Sequence, residues 1–149
     1  MLLKAVTRWL CCSTLLPPET RRGHNMPGIA ILTGASSGIG AAVAQQFIDR
    51  GDTVINISRR DCPVTGVETI GTDLGDAESL SSSCAALAQR LGTQTDGPVC
   101  LVHNASLMLK DRCDFTSDED LERVLAVNVV GINAINRSLL PQMPRGASV

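Results

Sequence analysis

Residues 33–40 read Thr33-Gly34-Ala35-Ser36-Ser37-Gly38-Ile39-Gly40, between an apolar run, Gly28-Ile29-Ala30-Ile31-Leu32, and a segment, Ala41-Ala42-Val43-Ala44-Gln45-Gln46-Phe47-Ile48, of helical character. Strand, glycine-rich turn, helix is the setting that a phosphate-binding loop requires. Gly34 supplies backbone angles closed to other residues at a tight turn. Gly38 leaves room for a pyrophosphate against the main chain, and Gly40 lets the new helix lie close on the strand behind it. The free N–H groups and positive dipole end of that helix then face the phosphates.

From this turn the pattern runs outward as alternating strand and helix, which predicts a doubly wound α/β domain with a parallel sheet. The first strand is expected over about 28–33 and the first helix over about 38–50, with Ile39, Val43 and Phe47 on one face and Gly51 at its end. A second strand follows at 53–58, then a weaker third at about 67–72. Asp76 is the expected N-cap of a second helix whose apolar stripe is Leu80, Cys84, Leu87 and Leu91. Val99-Cys100-Leu101-Val102-His103 reads as a fourth strand. Thr116 or Ser117 caps a third helix, with Glu119 placed to complete a capping box. Its expected buried face is Leu121, Val124, Leu125, Ile132, Ile135 and Leu139, and Pro141 and Pro144 end it. Gly146-Ala147-Ser148-Val149 reads as the beginning of a fifth strand. The expected strand order is 3-2-1-4, with the fifth only begun.

Length and composition agree with one such unit. A chain of 149 residues has room for one domain with a true core. Aromatic residues are 2% and tyrosine is absent, so the core must be aliphatic, as suits a parallel sheet covered by helices. Basic stripes with interleaved aromatics are lacking, which argues against nucleic acid as a partner. No uninterrupted apolar run approaches the ~20 residues of a membrane span, so no membrane association is expected. The six cysteines include no Cys-x-x-Cys pair, and only His24 and His103 could join them, so no metal site is expected. Cys84 and Cys100 read as small core residues in a reduced compartment. Residues 1–26 are basic, contain Cys11-Cys12 and Pro17-Pro18, and read as an extension outside the 27–149 domain: an upstream segment, with a mitochondrial presequence as the alternative.

Several signals now stand in a fixed order: Thr33-Gly34-x-x-x-Gly38-x-Gly40, Asp73-Leu74, Asn104-Ala105 after the fourth strand, and Asn128 in the next helix. Together they resemble the N-terminal half of the short-chain dehydrogenase/reductase family, over about residues 28–149. The general dinucleotide fingerprint spaces its glycines differently. The resemblance implies a Rossmann-like sheet and an oxidoreductase that moves a hydride between a nicotinamide cofactor and a small carbonyl or alcohol. It implies that Gly34, Ser36, Ser37, Gly38, Ile39 and Gly40 hold the cofactor's phosphates and ribose. Asp73 and the Leu74 N–H would hold the adenine, and Asn104 and Ala105 would support sheet and cofactor. Asn128 would support a proton relay to the catalytic lysine. The family's Asn-Asn-Ala-Gly is His103-Asn104-Ala105-Ser106 here, and His103 reads as a strand-end residue in place of a structural Asn.

At the end of the second strand an acidic residue would bind the ribose hydroxyls of NAD. Here Ser58-Arg59-Arg60 stands instead, and the guanidinium fork of Arg59 suits the 2′-phosphate of NADP, which is therefore expected over NAD. The family's catalytic Ser and Tyr-x-x-x-Lys follow the fifth strand, and these 149 residues contain no tyrosine. The chain is accordingly expected to be the cofactor half of a larger reductase and inactive alone, with a non-catalytic dinucleotide-binding or protein-interaction module as the alternative. Family members are usually homo-oligomers. The expected compartment is the cytoplasm.

Overall fold

The computed structural model describes residues 27–93, 97–109 and 116–149. The extension expected over 1–26, and with it Cys11 and Cys12, lies outside them, as does Cys113. Four parallel strands, β1 (Ile29–Thr33), β2 (Thr53–Ser58), β3 (Val67–Gly71) and β4 (Val99–His103), stand in the order β3-β2-β1-β4. Helix α1 (Gly38–Asp49) connects β1 to β2, and α2 (Ala77–Thr93) connects β3 to β4. The expected order 3-2-1-4 is therefore the observed one. The fifth strand is begun: Leu101 N–H donates to the Ser148 carbonyl (2.9 Å), and Ser148 N–H to that of Val99 (3.1 Å), on the free edge of β4.

Strands β1, β2 and β4 are largely apolar because both faces of the sheet are covered there, whereas the edge strand β3 (VETIG) has no fully buried residue. Ile31, Ile55, Ile57 and Leu101 point to one side and pack with Leu80, Leu87, Leu91, Ile135 and Leu139 of the helices there. Ala30, Leu32 and Val54 point to the other and pack with Val43 and Ala44 of α1. Full burial of one such Ile or Leu stabilises by about 1.5–3 kcal/mol, so the aliphatic layers hold the site's two sides together. Gly51 ends α1 at φ +85°, with its N–H on the Ile48 carbonyl. Asp76 caps α2 through Oδ1, which accepts from Glu78 N–H at 3.1 Å.

The third helical segment differs from the single helix expected. It runs as α3 (Asp118–Leu125), a π-helical turn (Ala126–Gly131), α4 (Ile132–Leu139) and a final 3-10 turn (Leu140–Gln142). Its cap is Ser117, whose Oγ accepts from Asp120 N–H at 3.1 Å. Ile135 and Leu139 are buried as expected, but Leu121 and Leu125 are 49% and 46% exposed. Packing explains the division: α4 lies on α2, whereas α3 projects beyond the layer. The whole run Asp118–Gln142 is also long and apolar enough to cross a membrane, with mean hydropathy 1.3 in its most apolar stretch. A count of uninterrupted apolar residues does not show this, because Glu122, Arg123, Asn128 and Arg137 interrupt the run.

Candidate nucleotide-binding site

At the carboxyl edge of the sheet, where β1 and β4 meet, Thr33 organises the main chain. Its buried Oγ1 accepts from the N–H groups of both Asn104 (3.0 Å) and Ala105 (3.1 Å). The Asn104 side chain returns the contact, Nδ2 donating to the Gly34 carbonyl at 2.9 Å. Gly34 has φ +73°, and a Cβ there would stand 2.8 Å from the Cα of Ala105. A Cβ on Gly40 would collide with the Gly34 carbonyl and lie 2.5 Å from Asn104 Nδ2. The two glycines are thus required by close approach of the turn to the strand beside it and of α1 to the turn.

Ser37 precedes the first turn of α1 in extended conformation (φ −168°), and its side chain makes no capping bond. First-turn N–H groups have no partner within a helix, and here Gly38 and Ile39 carry theirs at the exposed end of α1. Gly40 is buried behind them.

A cavity of about 510 Å³ opens beside this helix end, within the range of small-molecule and cofactor sites. Gly34, Ser36 and Ser37 form one wall, and Ser58, Arg59 and Arg60 another. Asp73 and Leu74 face them, and Asn104 and Ala105 close the sheet side. Eight of the expected binding residues therefore surround one space: Gly34, Ser36, Ser37, Arg59, Asp73, Leu74, Asn104 and Ala105. Gly38, Ile39 and Gly40 shape the helix end without lining the cavity. Arg59 Nη1 lies 3.9 Å from Asp73 Oδ2 in an exposed ion pair. Asp73 Oδ1 also accepts from Gly75 N–H (2.9 Å), so it shapes its own turn.

Asn128 stands apart from these, within the π turn. Its Oδ1 accepts from Leu107 N–H and its Nδ2 donates to the Leu107 carbonyl, each at 2.8 Å. The site segment after β4 is thereby fixed from the helix side. Ser106, where the family has glycine, fits without strain: among the described residues no non-glycine has positive φ. His103 does not face the cavity wall. Its Nε2 is 2.8 Å from Asn136 Oδ1 on α4, and its Nδ1 is buried without a partner.

Three residues had no place in the site expected from the sequence. Arg60 was seen only as part of a basic pair, yet it lines the cavity with Arg59. Arg123 reaches the same cavity from α3, and no local pattern marks it. Asn56, fully buried in β2, accepts from Ala35 N–H at 2.9 Å; a polar residue inside Val54-Ile55-Asn56-Ile57 was the available signal.

A family model described as short chain dehydrogenase matches residues 28–148. Among curated proteins, a 2-(R)-hydroxypropyl-CoM dehydrogenase of Xanthobacter autotrophicus is 32% identical over 133 residues, spanning 79% of this chain and 52% of that protein. An uncharacterized oxidoreductase of Thermotoga maritima is 31% identical over 122 residues, spanning 78% and 49%. The chain thus spans about half the length of these relatives. Among solved structures, a short-chain dehydrogenase from Streptomyces avermitilis superposes with a TM-score of 0.70 at 30% identity, over 83% of this chain and 47% of that one. An oxidoreductase from Brucella ovis in complex with a partially ordered NAD gives 0.69 at 28% identity, over 78% and 58%.

Proposed function

The chain belongs to the short-chain dehydrogenase family, and from that premise we propose that it is the cofactor-binding half of an NADP-dependent oxidoreductase acting on a small carbonyl or alcohol. One observation carries the reading: the glycine turn that leads into α1, through Gly34, Ser36 and Ser37, and the Arg59–Arg60 pair line the same cavity of about 510 Å³. The cavity's chemistry fits the cofactor. Unpaired helix N–H groups suit a pyrophosphate, and guanidinium groups at the end of β2 suit a 2′-phosphate. Ser36, Ser37, Gly38, Ile39 and Gly40 would hold the phosphates and ribose. Asp73 and the Leu74 N–H would hold the adenine. The NAD in the Brucella ovis relative supports a nicotinamide dinucleotide as the ligand class.

When bound, the nicotinamide donates or accepts the hydride. This chain's own residues bind and orient it. Asn104 and Ala105 hold the cavity floor to β1, and Asn128, as a positioning residue for a proton relay, fixes Leu107 beside it. The 149 residues contain no tyrosine to act as the acid, so they are proposed to bind cofactor without turnover. The exposed row Leu121, Leu125 and Val129 favours a second reading, a module that also docks a partner chain, and supports association between copies. Cytoplasmic residence is part of the proposal, supported by the free thiols Cys62, Cys84 and Cys100; mitochondrial import of a fusion carrying residues 1–26 would replace it.

The test is calorimetric titration with NADPH and NADH. Tighter binding of NADPH is expected. Preference for NADH overturns the role of Arg59, and binding of neither overturns the cofactor reading.

A further inference from the structure

We infer that Asn56 is a positioning residue that locks the arginine loop after β2 to the glycine turn after β1. Asn56 lies mid-strand between Ile55 and Ile57 and has no exposed surface. A polar side chain buried there is tolerated only when its hydrogen-bonding groups are paired. They are, and the partners lie on three different segments. Oδ1 accepts from Ala35 N–H in the glycine turn at 2.9 Å. Nδ2 points among the Arg60 carbonyl (3.3 Å), Ser58 Oγ (3.0 Å) and Thr69 Oγ1 on β3 (3.1 Å).

The network extends one bond further on each side. Ser58 Oγ donates to the same Arg60 carbonyl at 2.5 Å, and Thr69 Oγ1 accepts from Cys62 N–H at 3.1 Å. The segment 58–62, which carries Arg59 and Arg60, is thus tied at both ends to one buried amide whose other end holds the turn. The pairing needs an acceptor toward Ala35 and a donor toward Arg60. A carboxamide supplies both; a carboxylate supplies only the first, and a hydroxyl on the same Cα is too short to span the two. If the cavity takes a dinucleotide as proposed above, Asn56 sets the spacing between the residues on its pyrophosphate and those on its adenosine end, without touching either.

Two isosteric variants separate this role from general support of the fold. Asn56→Asp keeps the acceptor for Ala35 and loses the donor for Arg60; Asn56→Leu loses both. Amide exchange resolved by NMR is read in each. In Asn56→Asp the Cys62 amide should exchange about tenfold faster, the equivalent of one lost hydrogen bond, while Ala35 stays protected. In Asn56→Leu both should open, with Leu101 in β4 unchanged. Titration supplies the second readout: the Asp variant should lose NADPH affinity more than NADH affinity, and the Leu variant should lose both equally. Unchanged protection at Ala35 and Cys62, or acceleration shared equally with Leu101, overturns the inference. Should neither variant fold, Thr69→Val decides, since it removes the acceptor of Cys62 N–H from β3. Faster exchange that reaches Ala35 as well as Cys62 supports the coupling, and acceleration at Cys62 alone, or none, overturns it. Failure of the unmutated chain to bind either dinucleotide overturns the cofactor reading alone, because the exchange arm needs no ligand.

Discussion

Asn128 and Leu107 are joined by two hydrogen bonds of 2.8 Å, one in each direction, so a single side chain satisfies both main-chain groups of its partner. The helix widens into a π turn at this place, and the widened turn carries the Asn128 amide to the loop after β4. Asn128→Ala leaves a half-buried N–H and C=O unpaired, at an expected cost of about 1–3 kcal/mol. Urea unfolding should show a lower midpoint with an unchanged slope. An unchanged midpoint would show that the clamp contributes nothing.

Gly40→Ala tests the close approach of α1 to the turn. The new methyl would meet the Gly34 carbonyl and Asn104 Nδ2 on one side and Ala35 Cα, 2.9 Å away, on the other. Backbone cannot yield as a side-chain tip does, so overpacking should cost about 1–3 kcal/mol and displace the helix end from the cavity. Gly71→Ala is the control: nothing lies within 4 Å of the added Cβ, and a change within about 0.5 kcal/mol is expected. Equal effects of the two would rule out steric approach as the reason for Gly40.

The alternation of apolar runs with helical stripes made the sheet and its order legible, because burial on both faces leaves β1 and β4 continuous in apolar residues and β2 broken only by Asn56. The glycine turn was legible because its residue types answer to backbone geometry. The π turn was not: Asn128 within it pairs with Leu107, 21 positions earlier in the chain, and no local pattern marks that contact. The exposure of Leu121 and Leu125 was hidden for a related reason. Periodicity gives the apolar face of a helix, and only the position of its neighbours says whether that face is covered. Asn56 and Arg123 act through partners from other segments, so no window of sequence contains their role.

Arg59 and Asp73 face each other at 3.9 Å with 73% and 47% of their side chains exposed. An ion pair so open to water contributes at most about 1 kcal/mol. Asp73→Asn should therefore leave the thermal midpoint nearly unchanged, with the small difference fading at high salt. Arg59→Ala should weaken NADPH about tenfold, as loss of a charge-assisted bond implies, and weaken NADH little. Calorimetry with both dinucleotides reads the difference. Equal loss for the two would place Arg59 away from the 2′-phosphate.

Cys84 makes stability depend on pH at the alkaline end. Its thiol is buried at 2% exposure between α2 and α4, and desolvation raises its pKa from the ordinary 9.0, with the Ser138 hydroxyl bonding to it and opposing in part. The folded chain then keeps the thiol proton at a pH where the unfolded chain has released it. The unfolded state binds fewer protons, so unfolding free energy falls as pH rises. The stability is fully present below pH 9.0 and is lost above it, toward the raised folded value. Tyrosine is absent, so no phenol titrates in the same window. Denaturant midpoints measured from pH 8 to pH 10.5 should fall in the unmutated chain and fall less in Cys84→Ala, after its constant offset for the lost packing. Parallel curves for the two would exclude the buried thiol as the source.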